Sequence, residues 1–192
     1  MQAIVIKAEN RQTGKQPSKQ VRRNGFVPGV YYCQNVPSIN IQVSAKSLRP
    51  IVYTSKLNMV HLDVDGEIKH CILKEVKFHP VTDEIIHFDL LGLSENKKVS
   101  TEIPVELVGQ PIGVRKGGTF QQVFHKCRIK CLPKNLVSSL KVDISNLDVG
   151  KSIYLRDLEL EGIEFGIPLD SLVCAVNIPR GKAGEALREA AK

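Results

Sequence analysis

The sequence predicts a mainly β fold in two parts. The N-terminal part combines strands with short helices, and the C-terminal part is almost wholly β. Strand-length apolar or alternating runs recur at close spacing, separated by Gly, Pro, Asn and Asp. Two such runs flank Asp65-Gly66, which is a strong hairpin signal. The polar run SENKKVS at residues 94–100 separates the two parts and predicts a domain boundary.

The N-terminal segment predicts a strand, a polar loop and a basic helix. Residues 2–8, QAIVIKA, predict the strand. Ser18 is a good N-cap and Gly25 a good stop signal, so about two turns of helix are expected between them. The cations of this helix fall at i, i+3 and i+4 and therefore share one face: Lys19, Arg22 and Arg23.

The rest of the N-terminal part predicts strands and one more short helix, which begins at the Ser44 cap. Asp65-Gly66 should join two of the strands as a hairpin. His61 and His70 lie in that hairpin and are interpreted as ordinary strand residues. The expected strands are residues 26–33, 39–44, 59–64, 67–78 and 85–93.

Beyond the polar boundary, short strands between turn signals predict a small barrel or sandwich rather than βαβ units. One strand is expected over residues 119–132, and the glycine-rich GVRKGG at 113–118 is expected to be a loop. The expected domains are residues 1–94 and 95–180. The Ala- and charge-rich residues 181–192 should form a loose helix or an unstructured tail.

The composition excludes several classes of protein. Of 192 residues, 42% are hydrophobic and 24% charged, which is typical of a globular chain and excludes wholesale disorder. No apolar run approaches the roughly 18 residues of a membrane helix. The N-terminus has no secretory signal pattern, so a cytoplasmic protein is expected. An odd count of five cysteines agrees with free thiols in a reducing compartment.

Catalytic and metal-binding interpretations find little support. Cys127 and Cys131 alternate with basic residues as on a strand, and a second ligand pair for zinc is not evident. The GVRKGG run lacks the spacing of a phosphate-binding loop. Cys33 with His79 or His87 lacks the context of a nucleophile and its base. We therefore expect no enzymatic activity, no cofactor, no protein metal site and no small-molecule substrate.

The positive charge is concentrated at the N-terminus. The chain carries a net charge of +7, and residues 1–34 hold six cations against one acid, a net of +5. Residues 35–99 are neutral overall and residues 100–192 carry +2. A local excess of this kind is typical of phosphate binding, but a basic face kept for solubility explains the charge equally well.

His87 and Asp89 lie two residues apart in a predicted strand, so they should project from one face. A neighbouring His and Asp can perform acid–base chemistry. The same pair can also read base edges or 2′-hydroxyls, because both side chains form short, directed hydrogen bonds.

Two motif blocks resemble one known family. GKQPSKQVRRNGFVPGVYY at residues 14–32 and LKEVKFHPVTDEIIHFDLLGL at residues 73–93 are similar to the bacterial large-subunit ribosomal protein twenty-five family, which binds 5S rRNA. IPVELVGQPIGVRKGG, CLPKNL and VDISNLDVGKSIYLRDL resemble the C-terminal β-domain of its long form, also called the CTC or general-stress form. The resemblance implies an N-terminal RNA-binding β-barrel followed by an all-β domain.

The family's RNA-contacting positions carry over residue by residue. They include the arginine before the Gly-Lys turn, the serine and cations of the helix, the tyrosine of the next strand and the His-x-Asp pair. With the basic cluster, the expected RNA-binding residues are Arg11, Gly14, Lys15, Ser18, Lys19, Arg22, Arg23, Tyr32, Lys77, His87 and Asp89.

Some positions depart from the family pattern. Lys19 replaces a usual arginine, Lys77 a usual glutamine and Cys33 a usual glycine, and Gln20 stands where some members have arginine. Lysine lacks the planar fork of arginine, so contacts at Lys19 should be more purely electrostatic. Lys77 exchanges an amide that could read a base edge for a charge suited to phosphate.

The resemblance implies a structural component of the large ribosomal subunit, docked on 5S rRNA in the cytoplasm. Neighbouring ribosomal proteins are expected partners of the second domain, and no membrane is expected as a partner. Two alternatives are an accessory factor for tRNA or another RNA, linked to stress, and a protein–protein module based on the second domain. Salt-dependent RNA affinity separates the protein–protein alternative from the RNA-binding ones.

Overall fold

The computed structural model describes residues 3–33, 36–158 and 162–179. The strands are β1 Ala3–Asn10, β2 Phe26–Cys33, β3 Val36–Ser44, β4 Met59–Val64, β5 Glu67–Phe78, β6 Ile85–Gly92, β7 Val99–Val108, β8 Thr119–Gln122, β9 Lys126–Cys131, β10 Leu140–Asp143, β11 Ser152–Tyr154, β12 Ile163–Phe165 and β13 Leu172–Asn177. The helices are α1 Lys15–Arg23, α2 Ala45–Val52 and the single turn α3 Ile112–Arg115, with 3-10 turns at Pro133–Asn135 and Leu155–Asp157.

The described residues form two compact units. One contains the chain up to Val99 together with Leu132–Ser138, and the other contains Ser100–Cys131 and the described residues from Ser139 onward. The mainly β fold class is confirmed. The predicted domain limits, 1–94 and 95–180, remain a prediction, and the tail predicted at 181–192 lies outside the described residues.

The first unit is a closed β-barrel with the strand order β1-β3-β2-β6-β5-β4. Closure depends on two parallel pairings between strands distant in sequence, β1 with β4 and β2 with β6. Alternate side chains fill the interior, as Val60, Leu62 and Val64 of β4 show. The barrel therefore fixes which residues of β2, β5 and β6 face outward.

Gly29 of β2 is needed for this interior to close. It lies opposite Phe88 of β6, whose ring is fully buried. A Cβ atom at position 29 would lie within 2.4 Å of the Phe88 ring. Only glycine leaves room for that ring in the barrel interior.

Local sequence signals identify several elements of this unit correctly. The hairpin β4–β5 turns at Asp65-Gly66, where both residues have positive φ, 54° and 88°. Such a turn matches the twist of the flanking strands. Strand β2 and the start of α2 after Ser44 also agree with the sequence predictions.

The start of α1 differs from its prediction. The helix begins at Lys15 with Gly14 as the N-cap residue, so Ser18 lies inside the helix rather than capping it. The Ser18 hydroxyl donates to the Gly14 carbonyl over 2.7 Å. Gly14 has φ 134° and ψ 166°, a conformation that glycine adopts with little strain. The predicted end is confirmed, because Gly25 follows the helix with φ 80°.

The second unit is β-rich and consists of two sheets, with the orders β10-β7-β9-β12 and β11-β13-β8. Two details of its prediction are wrong. The single strand expected over 119–132 is divided into β8 and β9, and α3 occupies the start of the segment expected to be a loop. The alternation in β9 is confirmed, since Cys127, Ile129 and Cys131 are buried between exposed basic residues.

All five cysteines are free thiols, and all except Cys33 are buried. Burial raises the pKa of Cys71 to about 12, which keeps this thiol protonated and unreactive. Among the described residues, no helix is long and apolar enough to cross a membrane.

Candidate nucleic-acid interface

The basic helix α1 presents its cations to solvent. Lys15, Lys19, Arg22 and Arg23 are all exposed, and the first turn contains no acidic residue. Among the described residues, none of these four side chains forms an ion pair with a carboxylate. The helix packs against β2, so the barrel determines where this positive charge is held.

Arg11 lies in the loop between β1 and α1 and bonds this loop to both the barrel and the helix. Its Nε donates to the Ile41 carbonyl over 3.1 Å, and its Nη1 donates to the Gln12 carbonyl and to the Ser18 hydroxyl. Burial, and then the nearby Arg22, lower the pKa of Arg11 below its ordinary value. Nε and Nη1 therefore hold the loop in place, and the hydrogen bonds found among the described residues do not involve Nη2.

Arg22 links the helix to the barrel. Its Nε donates to the carbonyl of Ile86 over 3.2 Å, and Ile86 immediately precedes His87 in β6. The bond uses one of the five guanidinium hydrogens and leaves the charge exposed. The cationic face of α1 is therefore anchored next to the polar outer face of β6.

His87 and Asp89 project from the same face of β6, as their spacing predicts. His87 Nδ1 lies 2.9 Å from Asp89 Oδ1, and the two side chains are 27% and 28% exposed. This contact restricts the orientation of the imidazole. It leaves His87 Nε2 and the second oxygen of Asp89 for other partners.

Tyr32 and Lys77 lie on the strands that flank this pair. Tyr32 of β2 lies beside Leu91 of β6, two residues from Asp89 on the same face, and Lys77 of β5 lies opposite His87. Burial is the main cause that raises the pKa of Tyr32, and Asp89 and then Glu75 raise it further. The structure thus brings Tyr32, Lys77 and the His87–Asp89 pair onto one outer surface.

Glu75 is a member of this surface that the sequence interpretation missed. It lies opposite Asp89 on β5, and its Oε1 is 3.9 Å from Lys77 Nζ. The β5–β6 register is irregular between Leu73 and Glu75, which turns Glu75 and Lys77 outward. In the sequence, the adjacent polar residues Lys74 and Glu75 follow the apolar residues 71–73 at this irregularity.

All the predicted RNA-binding residues lie in the barrel unit, but they play different parts there. Gly14 and Ser18 form the helix start and hold Arg11. The exposed cations of α1 form one group, and the side chains on β2, β5 and β6 form another. Arg22 joins the two groups. Among the described residues, no group of three or more His, Cys, Asp or Glu could hold a metal ion.

Comparisons with known proteins agree with this architecture. Residues 6–90 match the Ribosomal L25p family, and residues 98–180 match the C-terminal domain of ribosomal protein TL5. The large ribosomal subunit protein bL25 of Chloroherpeton thalassium is 38% identical over 183 residues, covering 93% of this chain and 92% of that protein. The bL25 proteins of Phocaeicola vulgatus and Pelodictyon phaeoclathratiforme are 36% and 35% identical over 97% and 100% of this chain and 98% of each relative.

The chain belongs to the bL25 family of large ribosomal subunit proteins. The second match makes it the long form of bL25, with a TL5-type C-terminal domain. Proteins of the bL25 family are structural and not enzymatic, so the prediction of a non-enzymatic protein is confirmed. The acid–base interpretation of the His87–Asp89 pair is therefore dropped for this bL25 chain.

Proposed function

We propose that the chain binds 5S rRNA in the large ribosomal subunit, through α1 with its preceding loop and through the outer faces of β2, β6 and the end of β5. The hydrogen bond from Arg22 Nε to the Ile86 carbonyl carries this proposal. It holds a cationic helix, which has no acidic partner in the described part of the chain, beside a strand face that bears directed hydrogen-bonding groups. One set of groups suits phosphates, and the other suits bases or riboses.

The shape of an RNA duplex explains this division of roles. An A-form helix presents a wide, shallow minor groove in which 2′-hydroxyls and base edges are accessible. The His87–Asp89 pair on a strand can approach such a groove closely. The cations of α1 can then contact the phosphates that border it.

The acids on the barrel face restrict what part of the RNA can lie there. Asp89 and Glu75 occupy opposite positions on neighbouring strands. Phosphates are repelled by this pair, whereas amino groups of bases and 2′-hydroxyls can donate hydrogen bonds to it. The barrel face is therefore suited to the groove, and Lys77 at its edge is suited to a phosphate.

Binding by the full-length chain tests the proposal. Fluorescence anisotropy would compare 5S rRNA, a tRNA and a generic RNA duplex over a series of salt concentrations. We expect 5S rRNA to bind most tightly, with an affinity that falls steeply with salt. Tighter binding of tRNA would support the accessory-factor alternative. Weak, salt-independent binding of every RNA would support a protein–protein module instead.

A ribosomal experiment tests the same function without purified RNA. The chain should co-sediment with large subunits, and crosslinks from α1 and β6 should map to 5S rRNA. Crosslinks from these elements to 23S rRNA or to proteins alone would contradict the proposed interface.

A further inference from the structure

Two histidines face each other across the β4–β5 hairpin. His61 pairs directly with His70, and their ring centroids lie 4.5 Å apart with the ring planes at 73°. In a hairpin with a two-residue turn, the residues that flank the turn are hydrogen-bonded, and the pairs alternate from there. Val64 and Glu67 flank this turn, so His61 and His70, three pairs further along, occupy a non-hydrogen-bonded position. Side chains at such positions approach each other most closely.

Both imidazoles are outside the barrel core. Their chain neighbours Val60, Leu62 and Cys71 are buried in the interior, whereas His61 is half-buried and His70 exposed. Among the described residues, neither imidazole has a hydrogen-bond partner. Each neutral ring therefore keeps one nitrogen lone pair available to a ligand from solvent.

We propose that His61 and His70 form a two-ligand site for a divalent ion of the late first-row transition metals: Cu²⁺, Ni²⁺ or Zn²⁺. Imidazole nitrogen suits these ions, whereas Mg²⁺ and Ca²⁺ require oxygen ligands. Two imidazoles on directly opposed residues can bind one ion as a chelate. Water completes the coordination, because the described residues provide no third His, Cys, Asp or Glu ligand.

The proposed site is independent of the proposed RNA interface. It lies on β4 and the first half of β5, whereas the RNA interface uses α1, β2, β6 and the end of β5. A metal bound across the hairpin would link β4 to β5 and favour the folded barrel, since the unfolded chain does not hold the two imidazoles together. The affinity order should follow Cu²⁺ above Ni²⁺ and Zn²⁺.

Metal binding by the full-length chain tests the site. Isothermal titration with Ni²⁺ alone and with Zn²⁺ alone would use a Cys33→Ser background, because Cys33 is the one thiol that is not buried. We expect one site that His70→Gln or His61→Gln weakens at least tenfold. Binding should also weaken as pH falls, because protons compete with the metal for the imidazoles. The matched control is His125→Gln, which alters an exposed histidine of the other unit and should leave binding unchanged.

Exposed His70 gives the decisive variant, since its substitution removes no core contact. Without metal, the melting temperature of His70→Gln should equal that of the parent chain. The rise in melting temperature that metal causes in the parent should be lost in this variant. Nuclear magnetic resonance of the histidine ring protons should show both His61 and His70 shifting with added Zn²⁺. The proposal is overturned if the parent chain binds neither metal, or if His70→Gln binds as tightly as the parent.

Discussion

Helix α1 and strand β9 carry similar numbers of cations in opposite surroundings. The cations of α1 have no acidic ion-pair partners among the described residues. On β9, Arg128 Nη2 lies 2.9 Å from Glu102 Oε1 of β7, and Lys130 lies opposite Glu164 of β12. Two of the three cations of β9 therefore have acids beside them on neighbouring strands. An excess of positive charge along the chain indicates phosphate binding only where folding brings no acids alongside.

The two surfaces also differ in what lies next to the cations. Arg22 of α1 is bonded to the backbone of β6, where the His87–Asp89 pair provides directed polar groups. The outward neighbours of β9 are glutamates. We therefore expect RNA binding to depend on α1 and β6 and to be insensitive to the cations of β9.

Removing cations from the two surfaces should give the largest contrast. The triple variant Lys15→Ala, Lys19→Ala and Arg23→Ala should lower 5S rRNA affinity about a hundredfold near physiological salt and make the salt slope shallower by two to three units, since each phosphate contact adds about one unit. The matched triple on β9, Lys126→Ala, Arg128→Ala and Lys130→Ala, should change affinity less than about threefold. Anisotropy titrations over a salt series measure both. Equal losses from the two triples would contradict the comparison.

Asp89→Ala should lower the specificity for 5S rRNA without changing the salt dependence of binding. Its removal leaves hydrogen-bond donors of the RNA unpaired, at a cost of about 1–3 kcal/mol, or roughly tenfold to a hundredfold in 5S rRNA affinity. The salt slope should not change, because Asp89 neutralises no phosphate. Dissociation constants for 5S rRNA and a generic duplex at one salt concentration give the specificity ratio. An unchanged ratio with a lower melting temperature would mean that Asp89 serves only the stability of the barrel.

Substitution of Arg22 should change both the affinity for 5S rRNA and the salt slope. Arg22→Ala removes the bond to Ile86 and, under the proposed function, a phosphate contact, so affinity should fall about tenfold and the salt slope should become shallower by about one unit. Arg22→Lys keeps the charge and loses the guanidinium Nε, so it should restore the slope but not the full affinity. The same RNA titrations distinguish the two variants. If Arg22→Lys behaves as the parent, the bond to Ile86 does not position the helix.

Local signals account for the elements that the sequence predicts well. Ser44 is the N-cap residue of α2, although its side chain makes no capping hydrogen bond, and Asp65-Gly66 forms the hairpin turn. Both signals lie within a few positions of the element that they mark. The same-face placement of His87 and Asp89 follows from strand geometry alone. The N-terminal barrel and the family were indicated by the resemblance of motif blocks, and not by hydrophobic periodicity.

Features that depend on distant strands could not be predicted in this way. The pairing of β1 with β4 closes the barrel between segments about fifty residues apart. The irregularity between Leu73 and Glu75 places Glu75 beside Asp89, and no periodic pattern marks it. The acids beside Arg128 and Lys130 lie on other strands, so charge counted along the chain could not reveal their effect.

The smallest expected effect tests the comparison of α1 with β9 most directly. Removing the acids beside β9 should make its cationic surface more like that of α1. Replacing the acids beside β9, with Glu102→Gln and Glu164→Gln, keeps the side-chain sizes nearly the same and removes the ion-pair partner of Arg128 and the acid opposite Lys130. A surface ion pair such as Arg128–Glu102 contributes about 0–1 kcal/mol, so the melting temperature should change little. The freed cations should raise the affinity for generic RNA a few-fold and steepen its salt slope, because more phosphates are neutralised. Affinity for 5S rRNA through α1 should change less, so the specificity ratio should fall. The matched control is Glu67→Gln, which frees the single cation Lys69 on the barrel hairpin and should therefore raise generic RNA affinity less than the double variant does. If neutralising the acids beside β9 adds no RNA affinity, the shape of the surface and not its acids keeps RNA away, and charge pairing is not what distinguishes β9 from α1.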